Sequence, residues 1–180
     1  MYAPIMTLVF AAVASAGSLY LSLGIGLKAC PLCFYQRTFA FALVAVCGVG
    51  LAVFGKDAGK VNLFALPLVI GGLGVAAFHT WLVTSGKLAC PNGVANLGPA
   101  PLQSLIVFTL ILLPVLYGVF VESREECLKP LPLLLGVGLG IAMVYGCTTP
   151  GLSPGANPPP QMMSEGERLE TCKKPFVPQP

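Results

Sequence analysis

Apolar residues run in long blocks along this chain, and the blocks are unbroken by charge. Residues 1–27, 38–55, 61–78 and 88–121 contain no Asp, Glu, Lys, Arg or His. A helix that crosses a bilayer needs about 20 mostly apolar residues. The pattern predicts five spans, at about 4–26, 34–54, 62–85, 103–121 and 131–147. The first ends in Gly24-Ile25-Gly26. The second and third are joined by the polar hexapeptide Gly55–Lys60, too short for anything but antiparallel neighbours. Pro99 and Pro101 precede the fourth, and Glu122, Arg124, Glu125, Glu126 and Lys129 separate it from the fifth, which is short and Gly-rich.

Composition agrees with the blocks. The chain has 180 residues, 56% hydrophobic and 9% charged, with mean hydropathy +0.84. Soluble domains carry about 25% charged residues. The expectation is an all-α integral membrane bundle over residues 1–147, followed by a Pro-rich tail over 148–180. The tail holds Pro158-Pro159-Pro160 and reads as a semi-rigid linker, with a short helix possible between Met162 and Cys172. The first block lacks a leading Lys or Arg and is long for a signal peptide, so it is expected to be a retained helix. A net charge of +3, scattered along the chain, gives no reason to expect nucleic acid.

Charge and cysteine placement suggest one orientation. With the N-terminus in the cytoplasm, Lys56, Lys60, Arg124 and Lys129 lie inside, and Lys28, Arg37 and Lys87 outside, in modest agreement with the positive-inside rule. Of seven cysteines, only Cys47 sits within an apolar block, where it reads as a small buried hydrophobe. Cys127 then faces the cytoplasm as a reduced thiol. Cys30, Cys33, Cys90, Cys147 and Cys172 face outward, the side on which disulfides persist.

The chemistry concentrates in Cys30-Pro31-Leu32-Cys33-Phe34-Tyr35-Gln36-Arg37. Proline suits the first turn of a helix, where its missing N–H has no partner to lose. Helical spacing then puts Cys30, Cys33 and Arg37 on one face. The positive end of that helix and Arg37 both favour a thiolate. A CxxC can also be half of a zinc site, but Phe34 stands where haem attachment needs His, and no second CxxC or nearby His completes a tetrahedron, so no metal is expected. Arg37 lies about 5 Å below the start of its helix and His79 about 9 Å below the outer end of the third, at 1.5 Å per residue. Ionisable groups at that depth are functional candidates. The plainer readings are that Arg37 snorkels, that His79 is satisfied by a carbonyl, that Gln36 pairs helices and that Trp81 anchors the interface.

The octapeptide resembles the C-x-L-C-x-[WY]-[EQ]-R motif of the DsbB family, the disulfide bond formation proteins B. The stretch from His79 through Cys90-Pro91 to Gln103-Ser104 is also similar, and the resemblance covers about residues 5–121. It implies a four-helix DsbB-like core in the bacterial inner membrane, here with a fifth transmembrane helix. The implied activity is that of a protein-disulfide:quinone oxidoreductase. Such proteins reoxidise a periplasmic DsbA-like thioredoxin-fold oxidase and pass electrons to the membrane quinone pool, ubiquinone or menaquinone. By the same resemblance Cys30 and Cys33 are the pair next to quinone, with Cys33 facing the ring. Arg37 matches the family arginine that polarises quinone, and Cys90 the cysteine that exchanges with the soluble partner; apart from the resemblance, the depth of His79 makes it a second donor to the quinone carbonyls, and Gln36 is a further candidate.

The family commonly has two cysteines in the second outer loop, and this loop has only Cys90. Cys172 is the favoured replacement. A flexible tail from residue 148 to 172 spans roughly 27 Å root-mean-square, so reach is no obstacle. A Cys147–Cys172 pair is the competing arrangement. Two other functions compete with this one. A vitamin K epoxide reductase-like protein would carry its CxxC on a later helix. A scaffold or transporter with static disulfides leaves Arg37 beside CxxC unexplained.

Overall fold

The computed structural model describes residues 2–27, 29–122, 130–152, 164–167 and 171–174. Helix α1 is Tyr2–Leu19 and continues as a π-helical turn, Tyr20–Gly24. Helix α2 is Pro31–Phe54, α3 is Val61–Thr84, α4 is Ala100–Tyr117 with a π-helical extension Gly118–Glu122, and α5 is Pro130–Leu152. Among the described residues there is no strand beyond two isolated β-bridges. Four helices are long and apolar enough to cross a membrane: Tyr2–Gly24, Pro31–Phe54, Val61–Thr84 and Ala100–Val121. The chain is a multi-pass membrane protein with an all-α helical bundle.

Helix α5 lies where the fifth span was expected, with a shorter apolar stretch, Leu134–Tyr145. The helix itself runs past Cys147 to Leu152. Cys147 is half-buried against the core and unpaired. The Pro158–Pro160 run, Cys127, Arg124, Lys129 and Lys28 lie outside the described residues. Of the short helix considered between Met162 and Cys172, the described part, residues 164–167, is a turn.

Helix α3 is the centre, packed against α2, α4 and α5. Its glycines explain why. A Cβ added to Gly71 would sit 2.8 Å from Phe39 of α2; at Gly72, 2.2 Å from Phe108 of α4; at Gly74, 2.3 Å from Val144 of α5. Lipid offers apolar side chains no hydrophobic reason to leave it, so membrane helices associate by close packing around small residues. The outer surface accordingly keeps large apolar side chains, among them Val13, Phe64, Leu113 and Tyr145. Cys47 is fully buried in the core, as its surroundings in sequence suggested.

Candidate functional site

The N-terminus of α2 builds the first half of the site. Cys30 is its N-cap, extended at φ −70°, ψ 163°, with Pro31 in the first turn. The Cys30 sulfur accepts from the Cys33 backbone N–H at 3.3 Å, satisfying one of the unpaired amides at a helix start. The two sulfurs, 3.0 Å apart, are not bonded and share a hydrogen bond. Cys30, just outside the span, has its thiol pulled down to about 5, first by the hydrogen bond with Cys33 and then by His79 and the Cys33 backbone, against the cost of burial. A thiolate at this helix start is therefore favoured.

The second half comes from far away in sequence. The outer loop after α3 brings Cys90, and the tail brings Cys172, and the two form a disulfide with Cα atoms 4.2 Å apart across 82 residues. The tail is pinned by an antiparallel bridge: Ala89 N–H donates to the Lys173 carbonyl at 2.8 Å and Lys173 N–H to the Ala89 carbonyl at 3.0 Å. Lys173 also pairs with Glu167. The loop is held to α4 by the Gln103 side chain, which accepts from Val94 N–H at 2.9 Å and donates to the Val94 carbonyl at 3.1 Å.

His79 joins the halves. It is fully buried in the last turns of α3. Its Nε2 lies 3.8 Å from Cys30 Sγ, 3.3 Å from Cys90 Sγ and 3.5 Å from Cys172 Sγ. Its Nδ1 is 3.3 Å from the amide of Gln36, itself buried. The sulfurs of Cys30, Cys33 and Cys172 all lie within 4.8 Å of one another and of the His79 ring. Bringing Cys172 to an inner sulfur at the disulfide length of about 2.05 Å needs less than about 3 Å of movement.

Beside the sulfurs a cavity of about 340 Å³ opens between α1, α2 and α4. Cys30, Cys33, Gln36, Arg37 and Cys172 line it, and the rest of its wall is mostly apolar. Arg37 is anchored: Nε donates to Ser18 Oγ at 2.8 Å, and Nη2 donates to the Ser18 carbonyl at 3.0 Å and to Ser22 Oγ. Its Nη1 has no partner among the described residues. The donor set fits a quinone head group: a small apolar slot, a fixed cation with free N–H groups, and a dithiol at the wall.

Of the residues singled out in the sequence, Cys30, Cys33, Gln36, Arg37 and Cys172 meet at this cavity. His79 does not line it; it sits among the sulfurs and touches the cavity wall through Gln36. Ser18 and Ser22 were missed. Their signal is a pair of hydroxyls at i and i+4 in an uncharged helix, facing the one cation at that depth.

The DsbB model, "Disulfide bond formation protein DsbB", matches residues 2–140. Three relatives are each called "Probable disulfide formation protein". That of Chlamydia trachomatis is 29% identical over 112 residues, 57% of this chain and 81% of the relative. That of Deinococcus radiodurans is 40% identical over 85 residues, 46% of this chain and 54% of the relative. That of Coxiella burnetii is 44% identical over 62 residues, 34% of this chain and 40% of the relative. No solved structure matches the chain.

Proposed function

The chain belongs to the DsbB family of disulfide bond formation proteins, and on that premise we propose that it is a thiol:quinone oxidoreductase of the bacterial inner membrane. It reoxidises a periplasmic DsbA-like thioredoxin-fold oxidase, with the cysteine end of the bundle facing the periplasm. The observation that carries this reading is the convergence of an outer disulfide and an inner dithiol on His79, beside a cavity that holds Arg37. The bundle is the redox unit, five spans including α5, and the tail is a working part of it because it carries Cys172.

Exchange begins when a thiolate of the partner attacks Cys90, releasing Cys172 as the leaving thiolate; the partner's second thiol then resolves the mixed disulfide and frees Cys90. Cys172 lines the cavity with the inner pair, so it is the sulfur that attacks next. It attacks Cys30 of the oxidised Cys30–Cys33 bond, and Cys33 leaves. Cys90 then attacks Cys172, which restores the outer disulfide and leaves Cys30 and Cys33 as a dithiol. Two electrons have moved inward and no co-reactant is consumed. An outer bond with an inner dithiol is the state described above.

Arg37 and Gln36 would hold ubiquinone or menaquinone in the cavity, with Cys33 at its wall. A quinone supplies the acceptor of two electrons and two protons that returns the inner pair to its disulfide. Ser18 and Ser22 keep the Arg37 fork in place, and the buried, apolar wall excludes water. His79 stands where a proton can pass among the exchanging sulfurs. The test is purified protein given a reduced dithiol partner and a soluble quinone. Quinone reduction is expected, and Cys30→Ser and Cys33→Ser should each abolish it. Turnover retained in either variant would sink the mechanism.

A further inference from the structure

The sulfur cluster has a property that electron transfer does not use. Cys30 Sγ, Cys33 Sγ, Cys172 Sγ and His79 Nε2 all lie within 4.8 Å of one another. The chain spacing hides this set, because His79 and Cys172 are 46 and 139 residues from Cys33 (79 − 33 and 172 − 33). We propose that, once the outer disulfide is reduced, these three thiolates and one imidazole bind a single d¹⁰ divalent cation, Zn(II) or Cd(II). The proposal goes beyond the quinone-linked reading and does not depend on it.

The geometry is close to that of an ion site. Zinc bonds of about 2.3 Å to sulfur and 2.0–2.1 Å to nitrogen give a tetrahedron with edges of roughly 3.5–3.8 Å. His79 Nε2 lies 3.5 Å from Cys172 Sγ and 3.8 Å from Cys30 Sγ. Cys30 and Cys33, at 3.0 Å, need to open by less than about 1 Å to reach the same edge. The outer shell is also in place. A ligating histidine needs its other ring nitrogen held, and the buried Gln36 amide sits 3.3 Å from Nδ1. With the amide oxygen turned to the ring, Nδ1–H donates to it and the Nε2 lone pair faces the sulfurs. Three thiolates and a divalent cation leave one net negative charge, set against the start of α2 with Arg37 further along that helix.

The site is switched by redox state. In the structure Cys172 is bonded to Cys90, so its sulfur is no thiolate. A dithiol reductant takes up that bond, becoming a disulfide and leaving two cysteine thiols. The cation then displaces to solvent the protons that the ligating thiols still hold. An occupied site withholds Cys30 and Cys33 from oxidation, so metal capture stops the reduced enzyme and a chelator restores it.

The test uses the full chain in detergent, reduced with dithiothreitol, freed of it anaerobically and titrated with Cd(II). Expected are about one Cd(II) per reduced chain, a first coordination shell of three sulfurs and one nitrogen by X-ray absorption, and none bound by the chain carrying both disulfides. Gln36→Leu, which leaves all four ligands, should weaken binding about 10- to 100-fold. Cys90→Ser frees Cys172 permanently, so this variant should bind Cd(II) whenever the inner pair alone is reduced. Cys47→Ser and Cys147→Ser should bind like the parent. An all-sulfur shell, equal binding by the fully oxidised chain, loss of binding in Cys147→Ser, or no binding by folded reduced Cys90→Ser would overturn the proposal. Quinone reduction by the metal-free chain is measured separately, so failure of either reading is seen without the other.

Discussion

Replacing Cys172 by Ser is the sharpest perturbation of the electron route. With both pairs oxidised, the parent chain holds two disulfides, Cys30–Cys33 and Cys90–Cys172, and so accepts four electrons without quinone. Cys172→Ser holds one disulfide and accepts two. The loss in rate is larger than this factor of two. Cys30 is only 7% exposed, so a soluble partner has poor access to it directly. Cys172 is held within 4.8 Å of both inner sulfurs. A tethered thiol acts at an effective concentration on the order of mM, against micromolar partner, so turnover should fall about 100- to 1,000-fold. Cys90 is then a lone thiol with no disulfide for a reduced partner to attack, so reduced partner forms no adduct on it. The assay is anaerobic, quinone-free thiol counting after mixing with excess reduced partner, with turnover read separately after a soluble quinone is added. Cys147→Ser, assayed alongside, should behave as the parent. Four electrons accepted by Cys172→Ser, or parent-like turnover, would refute the route through the tail.

Three further outcomes follow from the geometry. Arg37→Lys keeps the charge but loses the fork between Ser18 and Ser22; each charge-assisted hydrogen bond is worth about 1.5–3 kcal/mol, so the KM for added quinone should rise about 10- to 100-fold, and an unchanged KM would remove Arg37 from the site. Gly72→Ala puts a Cβ 2.2 Å from Phe108 and should cost about 1–3 kcal/mol in thermal unfolding, whereas Gly48→Ala meets nothing within 4 Å and should not be destabilised by overpacking. A Cys30 thiol lowered to about 5 stays a thiolate as pH falls and is protonated only through that pH. Its alkylation by a small reagent, with the inner pair reduced, should hold level from about pH 8 to about pH 6 and drop below; a rate that keeps climbing up to about pH 9 would mark an ordinary thiol.

The fold was legible because its cause is local. A block without charge over 18 or more residues has only one medium that suits it, and four helices long and apolar enough to cross a membrane form over those blocks. The start of α2 was legible for a similar reason: Pro31 is tolerated only in the first turn, which makes Cys30 the cap. Thr148, Thr149 and Pro150 read as tail in the sequence, while the backbone stays helical to Leu152. Arg37 was found by its charge, but its anchors were not, since Ser18 and Ser22 differ from any helical serine only by what α2 brings opposite them.

The sequence by itself determined the medium, the number of main helices and the presence of a CxxC pair one turn from a cation, because each depends on residues within one turn or one span. Tertiary structure decided what that pair faces. It joined Cys90 to Cys172 across 82 residues, the favoured of the two arrangements, and it set His79 in the midst of the sulfurs. No spacing rule reaches that far. Such contacts are set by how closely the glycines of α3 let its neighbours approach, and by the two backbone hydrogen bonds that pin the tail to the loop.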